Sequence, residues 1–285
     1  MLVFVNARAW GGRGVGDGEA FEAKLRQSGF AVTLERVESL EQLNAAALRL
    51  APDHDAIVVG GGDGSMRTAL PAILKAKLPV AIWPLGTAND FARSLGIECE
   101  DDCLQALRDW VERRVDIAEV NGQSFLNNAT LGLPADATRH LTPDLKQRLG
   151  ILATLSLIPM LWHNAKPFEA EIEADGRVER RRIIAALVGN GKYDGGFPIR
   201  YSGLADATLH VTLCLARTRW ALLPILCSVA LRRMATSRRI ETFSANCVAI
   251  RTAAVQLVGA DGDIVTQTPA TFTVRHGALR VLVPA

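Results

Sequence analysis

Four short stretches of the sequence carry residue types and spacings that could do chemistry. The apolar run Ala56-Ile-Val-Val59 leads straight into Gly60-Gly-Gly-Asp-Gly-Ser65 and then into a helical pattern. Glycines between a buried strand and a helix N-terminus let backbone N–H groups close on an anion, helped by the helix dipole; side chains there would block the approach. A tight strand-to-helix turn alone does not need Gly60, Gly61, Gly62 and Gly64 together, so the spacing points to a phosphate site. No Gly-Lys-Ser/Thr follows, which excludes a Walker A loop, and Ser65 stands where the dinucleotide fingerprint needs its third Gly. Asp63 lies where a triphosphate would come closest. A carboxylate there either works with a divalent cation or caps local N–H groups.

Pro84-Leu-Gly-Thr-Ala-Asn-Asp90 follows the next apolar stretch in the same manner. Gly86 gives backbone access, while Thr87 and Asn89 place short polar side chains at a predicted helix start. Alone it reads equally well as a capped turn. Two such loops at the same end of a parallel sheet favour a ligand, because ligands of these sheets bind outside the carboxyl ends of the strands. The third stretch, Val188-Gly-Asn-Gly-Lys-Tyr-Asp-Gly-Gly-Phe197, ends an apolar strand as a second polar surface or a long surface loop. The fourth is Val258-Gly-Ala-Asp-Gly-Asp263, whose Asp-Gly-Asp composition is also that of an ordinary hairpin turn.

The elements that must hold these loops follow from periodicity. Strand-like Leu2–Val5, Phe30–Val37, Ala56–Val59 and Val80–Trp83 alternate with helical Gly18–Ser28, Leu40–Leu50, Met66–Ala76, Phe91–Leu95 and Cys103–Arg113. That alternation predicts a parallel sheet covered on both faces. After about Val115 the pattern changes to strands: Val115–Val120, Ser124–Thr130, Phe168–Ala174, Arg177–Val188, Thr208–Ala216, Cys247–Thr252, Ala254–Val258, Ala270–Arg275 and Ala278–Val283. Asn121-Gly122 and Asp175-Gly176 are turn signals, and Asp-Gly at 175–176 suits a type I′ hairpin, which needs two residues that tolerate positive φ. The expected fold is thus α/β plus β: an α/β domain over residues 1–120, completed by a C-terminal strand over 276–285, and a mostly antiparallel β domain over 121–275. Trp83 and Trp110 read as core. The five histidines are ungrouped, and Asp101-Asp102 reads as a helix N-terminal dipole partner.

Composition bounds the partners. The 285 residues are 49% hydrophobic and 22% charged, which is globular, and 32 Lys+Arg against 30 Asp+Glu leave a net charge of +2. That excludes a polycation built for nucleic acid. Five Cys without CxxC or zinc spacing read as reduced thiols in a cytoplasmic protein. The apolar start, with no basic residues before it, reads as a first strand and not a signal peptide. The longest apolar runs, Ile151–Trp162 and Trp220–Leu231, are too short to span a bilayer. Arg217, Arg219, Arg232, Arg233, Arg238 and Arg239 bracket the second run, and no acidic residue occurs between Asp206 and Glu241. Cations flanking an apolar segment suit peripheral contact with an anionic membrane face as well as they suit a core helix with solvated ends.

In order and spacing, the first three of these stretches resemble the diacylglycerol kinase catalytic-domain family, over nearly the whole chain from Asn6 to the final strand. The second stretch is the most specific, since the GGDG core also occurs in NAD kinases and phosphofructokinases. The resemblance implies a three-layer α/β nucleotide-binding domain followed by a β-sandwich acceptor domain, with transfer of the ATP γ-phosphate to a lipid hydroxyl in the cleft between them; Asp63 beside the phosphates adds the expectation of Mg²⁺. By motif, Asn6, Gly60–Gly62, Asp63, Gly64, Ser65, Met66, Arg67, Gly86, Thr87 and Asn89 match its ATP-contacting segments. Asp263 takes the position of its proton-accepting Glu, with Asp261 as partner. Asp206 matches a structural-magnesium ligand in the segment that also holds Gly203 and Thr208, although Ala207 and His210 replace a Gly and a second Asp there. Ala7–Trp10, Val37-Glu38 and Arg67-Thr68 also depart from the family pattern. The other readings are an NAD kinase-like enzyme, for which the expected Asn-Glu pair and Thr-rich segment are missing, and a nucleotide-responsive protein without turnover. A homodimer stays open.

Overall fold

A computed structural model describes residues 1–6, 14–37, 39–86, 88–133, 135, 162–163, 165–190, 193–194, 197–198, 203–223 and 237–285. In chain order, the first part reads β1 (Leu2–Asn6), α1 (Gly14–Gln27), β2 (Thr33–Val37), α2 (Leu40–Leu50), β3 (Ile57–Gly61), α3 (Asp63–Ala76), β4 (Val80–Pro84), α4 (Asp90–Ser94) and α5 (Glu100–Asp109). Among the described residues the strands that follow are β5 (Val111–Val120), β6 (Gln123–Phe125), β7 (Asn128–Gly132), β8 (Phe168–Ala174), β9 (Arg177–Gly189), β10 (Tyr193–Asp194), β11 (Phe197–Pro198), β12 (Leu209–Leu215), β13 (Ile240–Ala245), β14 (Cys247–Thr252), β15 (Leu257–Ala260), β16 (Asp263–Gln267) and β17 (Ala270–Val283), with a 3₁₀ turn at Arg219–Ala221. The chain divides into two compact units, one of residues 1–117, 191–206 and 275–285, the other of 118–190 and 207–274.

The first unit is an α/β layer structure. Strands run parallel in the order β2, β1, β3, β4, followed by the end of β17, whose Val281 sits opposite Val80. Continuous apolar strands such as Ile57-Val-Val59 fit a sheet covered on both faces, and β3 and the apolar part of β4 are wholly buried. Trp83 is 1% exposed and stacks on Phe21 of α1 with centroids 4.0 Å apart. Asp102 closes α5 by accepting from the Glu98 and Cys99 amides, which hold its carboxyl below the usual range. Helix α5 ends earlier than periodicity predicts, because Trp110 adopts a left-handed φ of 51° and Val111 already belongs to β5. Trp110 is consequently 37% exposed and not part of the core.

The second unit is a mostly antiparallel sandwich. Its central strand β9 pairs with β8 through its first half and with β7 through its second, and with β12 along its other edge. β13 pairs with β12, β14 with β8 and β17, and β15 with β7 and β16. Val188, Val211, Val248, Val258, Ile250 and Phe272 meet in one buried cluster. Strands β13 and β16 are additions to the pattern read from sequence: Ile240–Ala245 is too polar, and Asp263–Gln267 too short, to register as apolar periodicity. The segment Ser124–Thr130 divides into β6 and β7, for a reason given below, and β17 is one strand of 14 residues.

Burial pushes the Cys214 thiol up to about 11 and the fully buried Cys103 thiol higher still, whereas Cys99 and Cys247 are exposed. Thiolates are the reactive form. Native protein treated with iodoacetamide at pH 8 should therefore be alkylated at Cys99 and Cys247, while Cys103 and Cys214 stay unmodified until denaturant is added. Peptide mass mapping reads the result, and native labelling of Cys103 would contradict the packing.

Candidate active site

In the first unit, three loops leave the carboxyl ends of neighbouring parallel strands. Asn6 closes β1 opposite Val37, and Ala7–Trp10 lie outside the described residues, as does Thr87. The other two loops, after β3 and β4, are locked together. Gly62 precedes α3 as its N-cap, and the Ser65 and Met66 amides close back on the Gly62 carbonyl at 2.9 and 3.1 Å. Gly86 is held by Asn89, whose side-chain oxygen accepts from the Gly86 N–H and whose amide nitrogen donates to the Gly86 carbonyl, both at 2.9 Å. That two-way clasp requires Asn89 in the left-handed region, at φ 49°, which Asn tolerates better than most residues. A Cβ on Gly86 would stand 2.6 Å from the Gly62 Cα and 2.5 Å from the Asn89 oxygen, so two glycine backbones meet face to face.

Asp63 fixes the contact. Its two carboxylate oxygens accept from the Asp90 amide at 3.0 Å and the Phe91 amide at 2.9 Å, the opening N–H groups of α4. The carboxylate thus reaches from one loop to the next, whereas the sequence reading of a cap had it within its own turn. By contrast Gly64, the second residue of α3, is exposed, and nothing lies within 4 Å of where its Cβ would stand. Met66 is buried on the inner face of α3, so its side chain packs and does not line a ligand surface; Ser65 and Arg67 are half-buried. First-turn amides of a helix have no acceptor within it. The open space at Gly64 thus lies at the positive end of α3's dipole.

The second unit brings another polar cluster together. Asp261-Gly262 forms a type I′ turn, with φ 46° and 87°. The Asp261 carboxylate reaches across to accept from the amides of Leu126, Asn127 and Asn128 at 2.7, 2.9 and 3.2 Å. This is what breaks the expected strand into β6 and β7: amides that would enter a ladder are taken by a side chain. Asn190, 1% exposed, donates its side chain to the Leu126 carbonyl and its backbone N–H to the Asn127 carbonyl. Asn190 belongs to the Val188–Phe197 stretch read from the sequence, whereas Asn127 and Asn128 are additions; buried Asn residues beside apolar strands are the signal that could have found them. Asp263 opens β16 and is exposed. Of the Val188–Phe197 stretch, residues 191–192 and 195–196 lie outside the described residues.

Two further findings concern ionisable groups. Asp116, 1% exposed, accepts from His276 Nδ1 at 2.8 Å and from the Gly277 amide at 2.7 Å. His276 is therefore grouped after all; the signal was a carboxylate set between Val115 and Ile117. Around the expected magnesium position, the Asp206 carboxylate closes a turn on the Gly203 amide at 2.8 Å, and Thr208 Oγ1 lies 3.3 Å from His210 Nε2. Among the described residues no group of three His, Cys, Asp or Glu side chains comes together. A hard cation wants several oxygen ligands, whereas the Asp206 carboxylate is engaged by the Gly203 amide.

Comparison with known proteins follows from this geometry. Residues 1–120 match the family model of the diacylglycerol kinase catalytic domain, and residues 131–283 that of the YegS C-terminal NAD kinase beta sandwich-like domain. A Pseudomonas fluorescens protein named probable lipid kinase YegS-like is 30% identical over 238 residues, covering 82% of this chain and 79% of the relative. The chain belongs to the YegS-like lipid kinase family. Within this family, a Bacillus subtilis diacylglycerol kinase is 29% identical over 276 residues, covering 92% and 88% of the two chains. A crystal structure of a candidate diacylglycerol kinase from Bacillus anthracis superposes with a TM-score of 0.84 at 25% identity, over 99% of this chain and 96% of the other. The YegS-like assignment also agrees with the observed α/β unit and sandwich.

Two outcomes test the site's architecture. Asp63→Ala leaves two amides at the start of α4 without their acceptor and should destabilise the protein by about 1–3 kcal/mol, read as a lower urea midpoint at unchanged slope. Ala207 holds a left-handed φ of 58°, where the family pattern has glycine. Ala207→Gly relieves that conformation and should stabilise by about 1 kcal/mol, measured as a higher thermal midpoint.

Proposed function

We propose that the chain is an ATP-dependent lipid kinase that transfers the γ-phosphate of ATP to the hydroxyl of a lipid acceptor of the diacylglycerol class. The observation that carries this reading is the pair of glycine loops locked by Asp63 at the carboxyl ends of β3 and β4. Such an arrangement supplies pre-positioned N–H donors for phosphate oxygens without side-chain obstruction. Gly60–Ser65, Arg67, Gly86 and Asn89 form the nucleotide surface, with Asn6 and Thr87 carried by family motif. Mg²⁺, brought with ATP as substrate, would neutralise phosphate charge as the γ-phosphate transfers.

Asp63 acts here as a positioning residue, since its oxygens are engaged by backbone amides. Asp263 is the proposed base, and Asp261 fixes the turn that presents it. In the transfer, the acceptor oxygen attacks the γ-phosphorus, the bond to the β-phosphate oxygen breaks, ADP leaves, and the hydroxyl proton passes to the Asp263 carboxylate. An aspartate is one methylene shorter than a glutamate, so it must stand closer to the hydroxyl or act through a water. The relatives named probable lipid kinase and diacylglycerol kinase support the acceptor class. No helix among the described residues is long and apolar enough to cross a membrane, which is consistent with a lipid met from the aqueous side.

ADP release is to be measured against diacylglycerol, phosphatidylglycerol, ceramide and sphingoid bases, with small polyols as controls. A lipid-dependent rate that vanishes in excess chelator is expected. ATP binding without acceleration by any lipid would leave a nucleotide-binding protein without turnover. Gly64→Ala should leave the unliganded fold intact, since the added methyl meets nothing, yet weaken ATP binding at least tenfold by filling the cradle. Asp263→Asn should retain ATP binding and cut turnover roughly 10²-fold or more; near-normal turnover would remove Asp263 from the mechanism.

A further inference from the structure

The chain's most exposed aromatic side chain among the described residues is Trp220, at 61%. It is held in place there. The 3₁₀ turn Arg219–Ala221 presents two faces: Ala221 and Leu222, 4% and 6% exposed, enter a small apolar cluster with Ala165, Ile184, Ala185 and Ala216, while Trp220 and Leu223 point out. Trp162, itself packed on that cluster, meets Trp220 edge to face with centroids 5.2 Å apart and planes at 73°. Two indoles and a leucine that is 49% exposed therefore make a braced apolar projection.

Cations surround it. Arg217 and Arg219 flank the turn, and the Leu215 amide donates to the Arg239 carbonyl at 2.7 Å, which brings Arg238 and Arg239 alongside the segment leading into it. All four arginines are exposed, and none has an acidic partner among the described residues. Elsewhere in the same unit arginines are matched: Arg180 with Glu171, Arg181 with Glu179 and Glu241, Arg251 with Glu173. Among the described arginines of that unit, Arg177 is the one other without an acidic partner, so four of the five unmatched arginines lie in the segments beside the tryptophans.

We propose that Trp162, Trp220 and Leu223, ringed by Arg217, Arg219, Arg238 and Arg239, form a docking surface for an anionic lipid bilayer. Indole rings favour the headgroup level of a membrane, where an apolar body and an N–H are both accommodated. Arginines at the same depth reach lipid phosphates while their stems lie along apolar surface. A second copy of this chain fits the surface poorly, because a two-fold interface would set the four arginines against four identical ones. The inference deepens the lipid-kinase reading by naming where the enzyme meets its acceptor's membrane, and its purpose rests on that reading.

The test is sedimentation of the full chain with phosphatidylglycerol–phosphatidylcholine vesicles and with phosphatidylcholine vesicles alone, in the absence of ATP. Binding to the anionic vesicles only, weakened at least tenfold in high salt, is expected. Trp220→Ala and, separately, Arg217→Glu with Arg219→Glu should each lower vesicle partitioning at least tenfold; removing one cation is worth about fivefold. Both sets change exposed side chains, and unchanged thermal midpoints check that they fold. Turnover of a detergent-dispersed acceptor should stay within twofold of wild type in each. Wild-type protein that ignores anionic vesicles, or variants that bind as wild type does, would overturn the proposal. So would a concentration-dependent dimer that Trp220→Ala abolishes. Vesicle binding is read without ATP, so a protein that binds but transfers no phosphate defeats the kinase reading and leaves the docking surface standing.

Discussion

The first unit's site depends on one carboxylate. Asp63 spans from the start of α3 to the opening amides of α4, and with it the two glycine loops become a single rigid surface. Everything near this bridge follows from the close approach it enforces. Gly62 and Gly86 must lack side chains, because each occupies the other's Cβ space. Asn89 must bend back through a left-handed conformation to satisfy Gly86. Even the brevity of α4, five residues, is tolerable because an outside carboxylate supplies the cap that its own N-cap side chain does not. Turned onto backbone donors of α4, the Asp63 carboxylate organises both loops without projecting charge from its own.

The second unit uses the same chemistry at its hairpins. Asn121, Asp175 and Asp261 each occupy the first position of an Asx-Gly turn with positive φ at both residues. Each then sends its side chain to a neighbouring strand. Asn121 accepts from the Thr271 amide and donates to the Pro269 carbonyl; Asp175 accepts from the Asn246 and Cys247 amides; Asp261 accepts from the three amides of residues 126–128. An Asx-Gly pair thus solves two problems at once. The backbone gains the twist a two-residue hairpin needs, and the carboxylate or amide satisfies strand ends that have no ladder partner. At Asp261 the second role also shapes the loop of buried asparagines beside Asp263.

Much of this was legible in the sequence, and the limits have physical causes. Helix α2 and strands β8 and β14 coincide with their periodic segments, Leu40–Leu50, Phe168–Ala174 and Cys247–Thr252, because apolar spacing there reports burial directly. The hairpin at Asp175-Gly176 was readable because turn chemistry is local. The strand–glycine loop–helix order at β3–α3 and β4–α4 was readable, but the partner of Asp63 was not: its contacts lie 27 and 28 residues away, and spacing carries no such information. The same holds for Asp261, whose amides are 133 to 135 residues distant. Strand β13 escaped notice for a different reason. Its half-buried Glu241 and exposed Thr242 and Ser244 mask a strand whose existence depends on pairing with β12.

Where the chain leaves the family pattern, the structure shows hydrogen bonds that suit the new residues. The Ala207 carbonyl accepts from the Asn246 side chain at 2.9 Å, in a loop whose left-handed Ala207 would be cheaper as glycine. His210 lies between Ser244 Oγ at 2.9 Å and Thr208 Oγ1 at 3.3 Å, on strands β12 and β13 that place His210 directly opposite Ser244. A carboxylate at position 210 would bring charge suited to a hard cation. An imidazole between two hydroxyls is instead satisfied by neutral partners, as donor on one ring nitrogen and acceptor on the other. The loss of the acid and the strain at Ala207 therefore belong together. Cross-strand hydrogen bonding in β12 and β13 and the Asn246 side chain hold the segment that, in the family pattern, a glycine would relax and a metal would tie down.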